Sequence, residues 1–345
     1  MIKKQYIYLI LLGGILAALI YFLQQAKDGD QNSTFKNKHS DFAIEDTNSI
    51  YKIIITDVNG DKATITKLGK DDWQLNGKYK ARIDAVRIIL KTAKLISVKS
   101  EVSVSAKKNV LKTMMVTFKK VEYYSKGMLL KTWYVGGPTR DHYGTYMLLE
   151  HSDGNRDTVP YITEIKGFFG TLNTRYFTDV KEWRDKVIYK LNPDQIKTVE
   201  LKNNEQPEYG FKINIKGKNS FELLDAQNKK VNGFDTVSVR AYILNYRKIA
   251  FEGFNRGILN EKQEDSLRKA IPFAEFTVTD ISGKSLKIKT YRKAALPDQV
   301  DLEGNAYQYD IERLFGILPT GEIIIMQYGT VDKIWRAILN FKNPE

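Results

Sequence analysis

Residues suited to acid–base or metal chemistry are scarce in this chain. It has three histidines and no cysteine, which excludes disulfides, thiolate metal sites and a lipid-modified cysteine. His142, beside Asp141 and Tyr143, is the best candidate for a general base, but we favour interpreting it as an exposed loop histidine. We predict no catalytic residues, no metal site and no cofactor, and therefore a protein that is not an enzyme.

Two further motifs resemble ligand sites but lack essential parts. Gly283-Lys284-Ser285 resembles the end of a phosphate-binding loop, yet Val278 stands where the earlier glycine is required, so we predict a hairpin turn. Asp298, Asp301 and Glu303 offer oxygen ligands for calcium. Their spacing lacks the glycine and the final glutamate of a calcium loop, which favours a solvated acidic loop.

The charge of the chain restricts its partners. The formal net charge is +13, but the lysines are scattered along strand-like patterns and form no compact basic patch, so we expect no nucleic acid partner. A basic surface suits anionic headgroups, acidic glycans or an acidic protein. A solvated basic surface without a dedicated partner is the alternative.

The N-terminus resembles a membrane anchor. Lys3 and Lys4 precede an uncharged apolar run, Tyr6 to Leu23, which as a helix is about 27 Å long and matches a bilayer. We predict an uncleaved transmembrane helix and not a cleaved signal peptide, because Gln24 stands where a cleavage site needs a small residue. The predicted anchor residues are Tyr6, Leu9, Ile10, Leu11, Leu12, Ile15, Leu16, Leu19, Ile20, Tyr21, Phe22 and Leu23.

The flanking charge of this span predicts its orientation. Lys3 and Lys4 hold the N-terminus in the cytoplasm under the positive-inside rule. We therefore predict a single-pass protein of the bacterial inner membrane, in contact with the lipid bilayer and with a periplasmic C-terminal body. The predicted organisation is a head and anchor at 1–26, a flexible polar tether at 27–49, and two domains at 50–191 and 192–345.

The two domains are predicted from an internal repeat. In the first, strand patterns at 51–57, 63–67 and 72–75 precede a helix on which Val86, Ile89, Leu90 and Ala93 share one face. The pattern returns about 145 residues later, with strands at 195–201, 209–215 and 220–223 and a helix at 235–245, aligned by pairing Asp84 with Asp235. We read further strands at 114–124 and 128–135, and at 273–280 and 285–291. The predicted fold class is α+β: a transmembrane helix followed by two related domains, each an antiparallel sheet with a helix packed on it.

Two groups of residues are candidates for contacts. Tyr143, Tyr146, Phe168 and Phe169 lie in or beside glycine-containing turns, where loops carry recognition, although core packing is an equal alternative. Trp183, Arg184 and Asp185 combine residue types common in binding hot spots. We favour a structural role at the domain junction, with Trp183 filling it and the Arg184–Asp185 ion pair fixing its angle.

Several of these segments resemble a known family. They are Trp73 to Leu75, Val135-Gly136-Gly137-Pro138-Thr139 with Tyr143-Gly144-Thr145-Tyr146 after it, and Glu182-Trp183-Arg184-Asp185-Lys186. Together with the N-terminal span they resemble the DUF4340 family of bacterial envelope proteins. The resemblance implies an auxiliary component of gliding-type ABC transport systems that works through contacts, and it supplies no catalytic residues.

A looser resemblance concerns glycosylation. Asp157-Thr158-Val159, Asp235-Thr236-Val237 and Asp265-Ser266-Leu267 are similar to the sites at which Bacteroidota attach O-glycans to exported proteins. Thr158, Thr236 and Ser266 are thus possible acceptors, with a helix start as the alternative at Asp235.

Two function classes follow from these observations. The first is a non-enzymatic, membrane-anchored scaffold or accessory subunit of a cell-envelope complex, in contact with other envelope membrane proteins. The second is a periplasmic binding module for a lipid, glycan or peptide, with a hydrophobic groove between sheet and helix.

Overall fold

The computed structural model describes residues 42–342. The chain divides into two compact units, and the division falls between Arg184 and Asp185, N-terminal to the domain boundary predicted after Leu191. We refer to them as unit 1 and unit 2.

Unit 1 is built on one large antiparallel sheet. Its strands are β1 (Lys52–Asp57), β2 (Lys62–Gly69), β3 (Asp72–Leu75), β4 (Tyr79–Lys80), β5 (Ile96–Glu101), β6 (Lys119–Ser125), β7 (Met128–Pro138), β8 (Thr145–Glu150) and β9 (Tyr161–Ile165). Its helices are α1 (Ile83–Leu95), α2 (Val104–Thr117) and α3 (Val180–Trp183), with 3₁₀ turns at Thr47–Ser49 and Asn173–Arg175. The nine strands are ordered β4-β3-β2-β1-β6-β7-β8-β9-β5.

Alternating side chains give this sheet two buried faces. Ile53 and Ile55 of β1 and Trp133 of β7 belong to the larger core, against which α1 packs Val86 and Ile89. Residues of opposite parity, including Tyr134 of β7, form a smaller cluster beneath α2. Because successive residues of a strand point to opposite faces, the same strands supply both cores.

Unit 2 repeats this construction. Its strands are β10 (Val187–Tyr189), β11 (Ile196–Asn203), β12 (Phe211–Gly217), β13 (Ser220–Asp225), β14 (Lys230–Val231), β15 (Ile249–Ala250), β16 (Gly253–Phe254), β17 (Ala274–Asp280), β18 (Ser285–Ala294), β19 (Tyr309–Ile317) and β20 (Ile323–Gln327). Its helices are α4 (Thr236–Leu244), α5 (Glu261–Lys269) and α6 (Tyr328–Val331), with 3₁₀ turns at Pro193–Gln195, Pro207–Tyr209, Asn245–Arg247 and Ile338–Phe341.

The two large sheets correspond strand by strand. The second has the order β14-β13-β12-β11-β17-β18-β19-β20-β16, which is the order of unit 1 in equivalent strands, while β10 and β15 pair as a separate ribbon. Helix α4 packs Val239 and Ile243 into the larger core. Leu267 of α5 packs against the smaller core on the other face, as α2 does in unit 1.

The structure shifts the alignment of the repeated helices by two residues. Arg82 is the N-cap of α1 and Asp235 is the N-cap of α4. Asp84 lies inside the first turn of α1 and is therefore not the counterpart of Asp235. In the corrected register Arg87 is equivalent to Arg240.

The predicted fold class, a transmembrane helix followed by two α+β domains with one helix on each sheet, is wrong. Two large antiparallel sheets dominate the described chain, and each carries a helix on both faces. None of the helices within 42–342 is long and apolar enough to cross a membrane. The longest, α2, has 14 residues, so it extends only about 21 Å against a hydrocarbon core of roughly 30 Å.

The predicted location must be corrected with it. A single-pass protein of the inner membrane requires a spanning helix, and the structure shows none in the part of the chain that it describes. The segment predicted to span, Tyr6 to Leu23, lies outside the described residues, as do the head and most of the tether. The structure therefore does not support that location.

One strand prediction also changes. The sequence predicts an extended segment over 114–124, but Met114 to Thr117 form the last turn of α2, and β6 begins at Lys119. The oxygen of Ser103 accepts a hydrogen bond from the backbone N–H of Ala106 and caps the helix. Val110 and Met114 then anchor α2 on the sheet.

Candidate functional site

Three exposed aromatic side chains lie at one end of the sheet of unit 1. Tyr143 is 53% exposed, Phe168 42% and Phe169 84%. Tyr143 belongs to the turn between β7 and β8, and the two phenylalanines follow β9. We call these three residues the aromatic patch.

The turn that carries Tyr143 is held by a carboxylate. Asp141 Oδ1 accepts hydrogen bonds from Thr139 Oγ1 at 2.5 Å and from the backbone N–H of Tyr143 at 3.0 Å. These two bonds lower the pKa of Asp141 below its ordinary value. Gly144 closes the turn, and a Cβ there would lie 2.5 Å from Ile162 Cγ2, so the turn is packed directly against β9.

The second turn is equally ordered. The backbone N–H of Phe168 donates to the carbonyl of Ile165 at 2.9 Å, and Gly167 takes a φ of +78°. The rings of Tyr143 and Phe169 meet edge to face, with centroids 6.2 Å apart. The Arg175 guanidinium lies 4.4 Å from the centroid of the Phe168 ring. The patch is therefore exposed but fixed in position.

Tyr146, the fourth predicted contact aromatic, lies elsewhere. It is half-buried in β8 and packs in the cluster beneath α2 with Met114 and Tyr134. The structure thus brings three of the four predicted aromatics together on the surface and places Tyr146 in a core.

The structure separates the roles of Trp183, Arg184 and Asp185. Trp183 is fully buried in the larger core of unit 1, where its Nε1 donates to the carbonyl of Phe177 at 2.7 Å. The Arg184 guanidinium lies 4.1 Å from the centroid of the Tyr79 ring. Asp185 opens unit 2, and its Oδ1 accepts from the backbone N–H of Val187 at 3.3 Å.

The three possible glycan acceptors are all exposed. Thr158 lies in the loop between β8 and β9, and Ser266 lies on α5. Thr236 is the first residue of α4, whose N-terminus is capped by the Asp235 carboxylate. The Asp235-Thr236 pair thus has a structural role as a helix start.

The remaining chemical motifs fall in surface turns. His142 is exposed with a φ of +59°, and His151 Nε2 lies 3.2 Å from Asp157 Oδ1. Gly283 and Lys284 form the turn between β17 and β18. Within 42–342 the structure groups no three His, Asp or Glu side chains in a way that could hold a metal ion.

A cleft in unit 2 escaped the sequence analysis. It lies between α4 and the β12–β13 hairpin and has a volume of about 560 Å³. Its floor and walls include the apolar side chains of Ile215, Phe221, Ile243, Leu244 and Ile281. They come from four separate segments of the chain, which only the folded structure brings together.

The rim of this cleft is strongly basic. Lys216, Lys218, Arg240 and Arg247 line it, against one carboxylate, Asp194. Lys216 Nζ lies 3.5 Å from Glu222 Oε2. Among the described residues, Lys218, Arg240 and Arg247 have no ion-pair partner.

In unit 1 the equivalent arginine is held by an ion pair. Arg87, the counterpart of Arg240, lies with its Nη2 2.8 Å from Oδ2 of Asp71, at the tip of the β2–β3 hairpin. The corresponding hairpin residue of unit 2 is Asn219, two positions after Gly217 as Asp71 is after Gly69. This loss of an acidic residue between repeats is the sequence signal that could have revealed the cleft.

The fold and these surfaces define a repeated antiparallel β protein with an exposed aromatic patch and a basic cleft. The chain belongs to the family described as "Domain of unknown function (DUF4340)", whose model matches residues 73–266. The family predicted from the sequence is thus confirmed. No curated protein and no solved structure matches the chain.

Proposed function

We propose that this protein is a non-catalytic accessory subunit of a protein complex and that it binds a partner protein through the aromatic patch of unit 1. The observation that carries the proposal is the exposure of Tyr143, Phe168 and Phe169 on two hydrogen-bonded turns. Water covers three large rings in the free protein, and a partner that buries them gains the hydrophobic free energy of their surface.

The rigidity of the two turns favours recognition. Because Asp141 and the packed Gly144 hold the first turn, binding requires little further loss of conformational entropy. Aromatic side chains placed in this way are common at the energetic centre of protein interfaces.

The chemistry around the patch suggests the nature of the partner. Arg140 and Lys166 adjoin the patch in sequence, and Arg175 contacts Phe168. The whole chain carries a net charge of +13. An apolar surface rimmed by carboxylates on the partner protein would complement these features.

The family resemblance adds a finer proposal. The DUF4340 family resembles auxiliary components of cell-envelope machinery for transport, secretion or gliding. We propose that the complex to which this chain belongs is a machinery of that class. The support for this step is the resemblance alone.

The test begins with a crosslink at a single position. A photoreactive phenylalanine analogue replaces Phe169 in the full chain, and the same analogue replaces Val104, a 92% exposed apolar residue on α2 of the same unit, as the control. A partner that crosslinks at 169 and not at 104 is identified by mass spectrometry, purified and titrated by calorimetry.

We expect the double variant Tyr143→Ala/Phe169→Ala to bind that purified partner at least roughly thirtyfold more weakly, since a hot-spot aromatic contributes about 2 kcal/mol or more. Val104→Ala should bind as the unchanged protein does. The proposal is wrong if crosslinking is equal at both positions or if the double variant keeps full affinity.

A further inference from the structure

We propose that the basic cleft of unit 2 binds a single-chain anionic amphiphile, of which a fatty acid is the simplest example. The alkyl chain would occupy the apolar floor, and the carboxylate would lie at the cationic rim. This site is separate from the aromatic patch and does not depend on the function proposed for it.

The size and lining of the cleft fit such a ligand. Its volume of about 560 Å³ lies within the range of roughly 300–1,000 Å³ typical of small-molecule sites. Ile243 is buried at the base, whereas Leu244 and Ile281 are exposed at the walls. An alkyl chain that displaces water from these side chains is favoured by the hydrophobic effect.

The rim supplies the complementary charge. Arg240 and Arg247 flank Leu244 along α4 and the 3₁₀ turn after it, and Lys218 faces them from the hairpin. A carboxylate accepts charge-assisted hydrogen bonds from guanidinium groups, often from two nitrogens at once. Asp194 is the single carboxylate on the lining, so the field in the cleft favours an anion.

The walls favour an alkyl chain over a peptide. One wall is a helix, and the other is a hairpin in which Ile215 pairs with Phe221 and Gly217 with Ser220. Within each wall, most backbone N–H and C=O groups are hydrogen-bonded to groups of the same wall. A peptide would bury amides without partners on the apolar floor, at a cost in free energy, whereas an alkyl chain has no such groups.

The two units differ in what holds the helix arginine beside the hairpin. In unit 1 the helix arginine, Arg87, is held by Asp71 of the hairpin. In unit 2 Asn219 cannot neutralise Arg240, and the arginine remains available to a ligand. The repeat therefore supplies both a blocking substitution and a matched control.

The test uses laurate as the probe and the purified full-length protein. Isothermal titration calorimetry measures laurate below its micellar concentration, and dodecanol serves as the uncharged analogue of equal chain length. We expect one laurate per chain and at least about tenfold weaker binding of dodecanol, which is the loss of about one charge-assisted contact.

Three variants locate the site. Arg240→Gln removes the charge but keeps most of the stem, and Asn219→Asp places a carboxylate at the hairpin position that Asp71 holds in unit 1. Both should weaken laurate binding about tenfold. Arg87→Gln makes the matched change in unit 1 and should leave the affinity unchanged. Urea unfolding checks that each variant is folded.

Several results would overturn the proposal. They are the absence of saturable laurate binding, equal affinity for laurate and dodecanol, and equal loss in Arg240→Gln and Arg87→Gln. Binding to phosphatidylglycerol vesicles without binding to monomeric laurate would also contradict it, because it would indicate a surface that meets a bilayer and not a cleft for one chain.

Discussion

Replacement of Asp310 by asparagine should destabilise unit 2 through a buried ion pair. Lys293 Nζ lies 2.6 Å from Asp310 Oδ2, with the two side chains 10% and 0% exposed. Asp310 Oδ1 also accepts from Gln299 Nε2 and from the backbone N–H groups of Glu312 and Arg313. The pair joins β18 to β19 beneath the loop that connects them.

The size of the effect follows from the pKa and from the ion left behind. Burial raises the pKa of Asp310, but the hydrogen bond from Lys293 and three others outweigh it and lower the pKa from 3.8 to about 2. That difference corresponds to about 2 kcal/mol of stabilisation at neutral pH. Asp310→Asn also leaves Lys293 buried without its counter-ion, so we expect a total loss of about 3 kcal/mol.

Urea unfolding followed by fluorescence and circular dichroism measures this loss. Trp335 is the only tryptophan of the sequence in unit 2, so a background in which the other three, Trp73, Trp133 and Trp183, are replaced by phenylalanine would report unit 2 directly. Because the pKa is lower in the folded state, the stabilisation is complete well above pH 3.8 and is lost as the pH falls toward 2. The difference between the original protein and Asp310→Asn should therefore shrink over that interval.

A control separates the buried charge from the lost hydrogen bonds. Lys293→Met combined with Asp310→Asn leaves neither charge buried, and it should be more stable than Asp310→Asn alone. The reasoning would be refuted if Asp310→Asn lost less than about 0.5 kcal/mol, or if its deficit were the same at pH 7 and near pH 2.

Two smaller changes test the turn and the helix start. Gly144→Ala should destabilise unit 1 by about 1–3 kcal/mol, because the new Cβ would lie 2.5 Å from Ile162 Cγ2. A Cβ at Gly137 would have no neighbour within 4 Å, so Gly137→Ala should be nearly neutral. Equal urea midpoints of the two variants would contradict this. Asp235→Ala should cost about 1 kcal/mol through loss of the α4 cap, while Asp235→Asn, which still caps, should melt close to the original temperature. If the alanine and asparagine variants melt together, the cap contributes nothing.

The strands and their repetition were accessible from the sequence because their signal is local. Ala63 and Ile65 alternate with Lys62, Thr64 and Thr66 in β2, and this period of two is visible without tertiary information. The helix register was misjudged because Asp84 and Asp235 look alike in sequence. Only Asp235 takes the N-cap position, since the structure starts α1 one residue after Arg82.

Helix α2 was missed because it buries only a narrow stripe. Val110 and Met114 are its buried residues, and the lysines and β-branched residues around them gave no clear helical period. The helix forms because it packs on the second face of the sheet. Its stability therefore comes from tertiary packing and not from the segment itself.

The two surfaces differ in how much the sequence revealed. Tyr143 and the Phe168-Phe169 pair lie beside glycines, and the sequence predicts their exposure. Tyr146 also lies near a glycine, but its place in β8 turns it toward α2 and into a core. The cleft combines Lys218, Arg240 and Ile281, which lie far apart in the chain. No local pattern connects them.

The edges of the two large sheets limit how this protein can associate. In unit 2 both edge strands, β14 and β16, are two residues long, and so is β4 in unit 1. The remaining edge strand, β5, has an irregular register near Val98 and carries Lys99. Short, irregular and charged edges resist the addition of a foreign strand. These four edges are thereby protected against edge-to-edge aggregation, and a partner of the kind proposed above would have to recognise side chains instead of an open backbone.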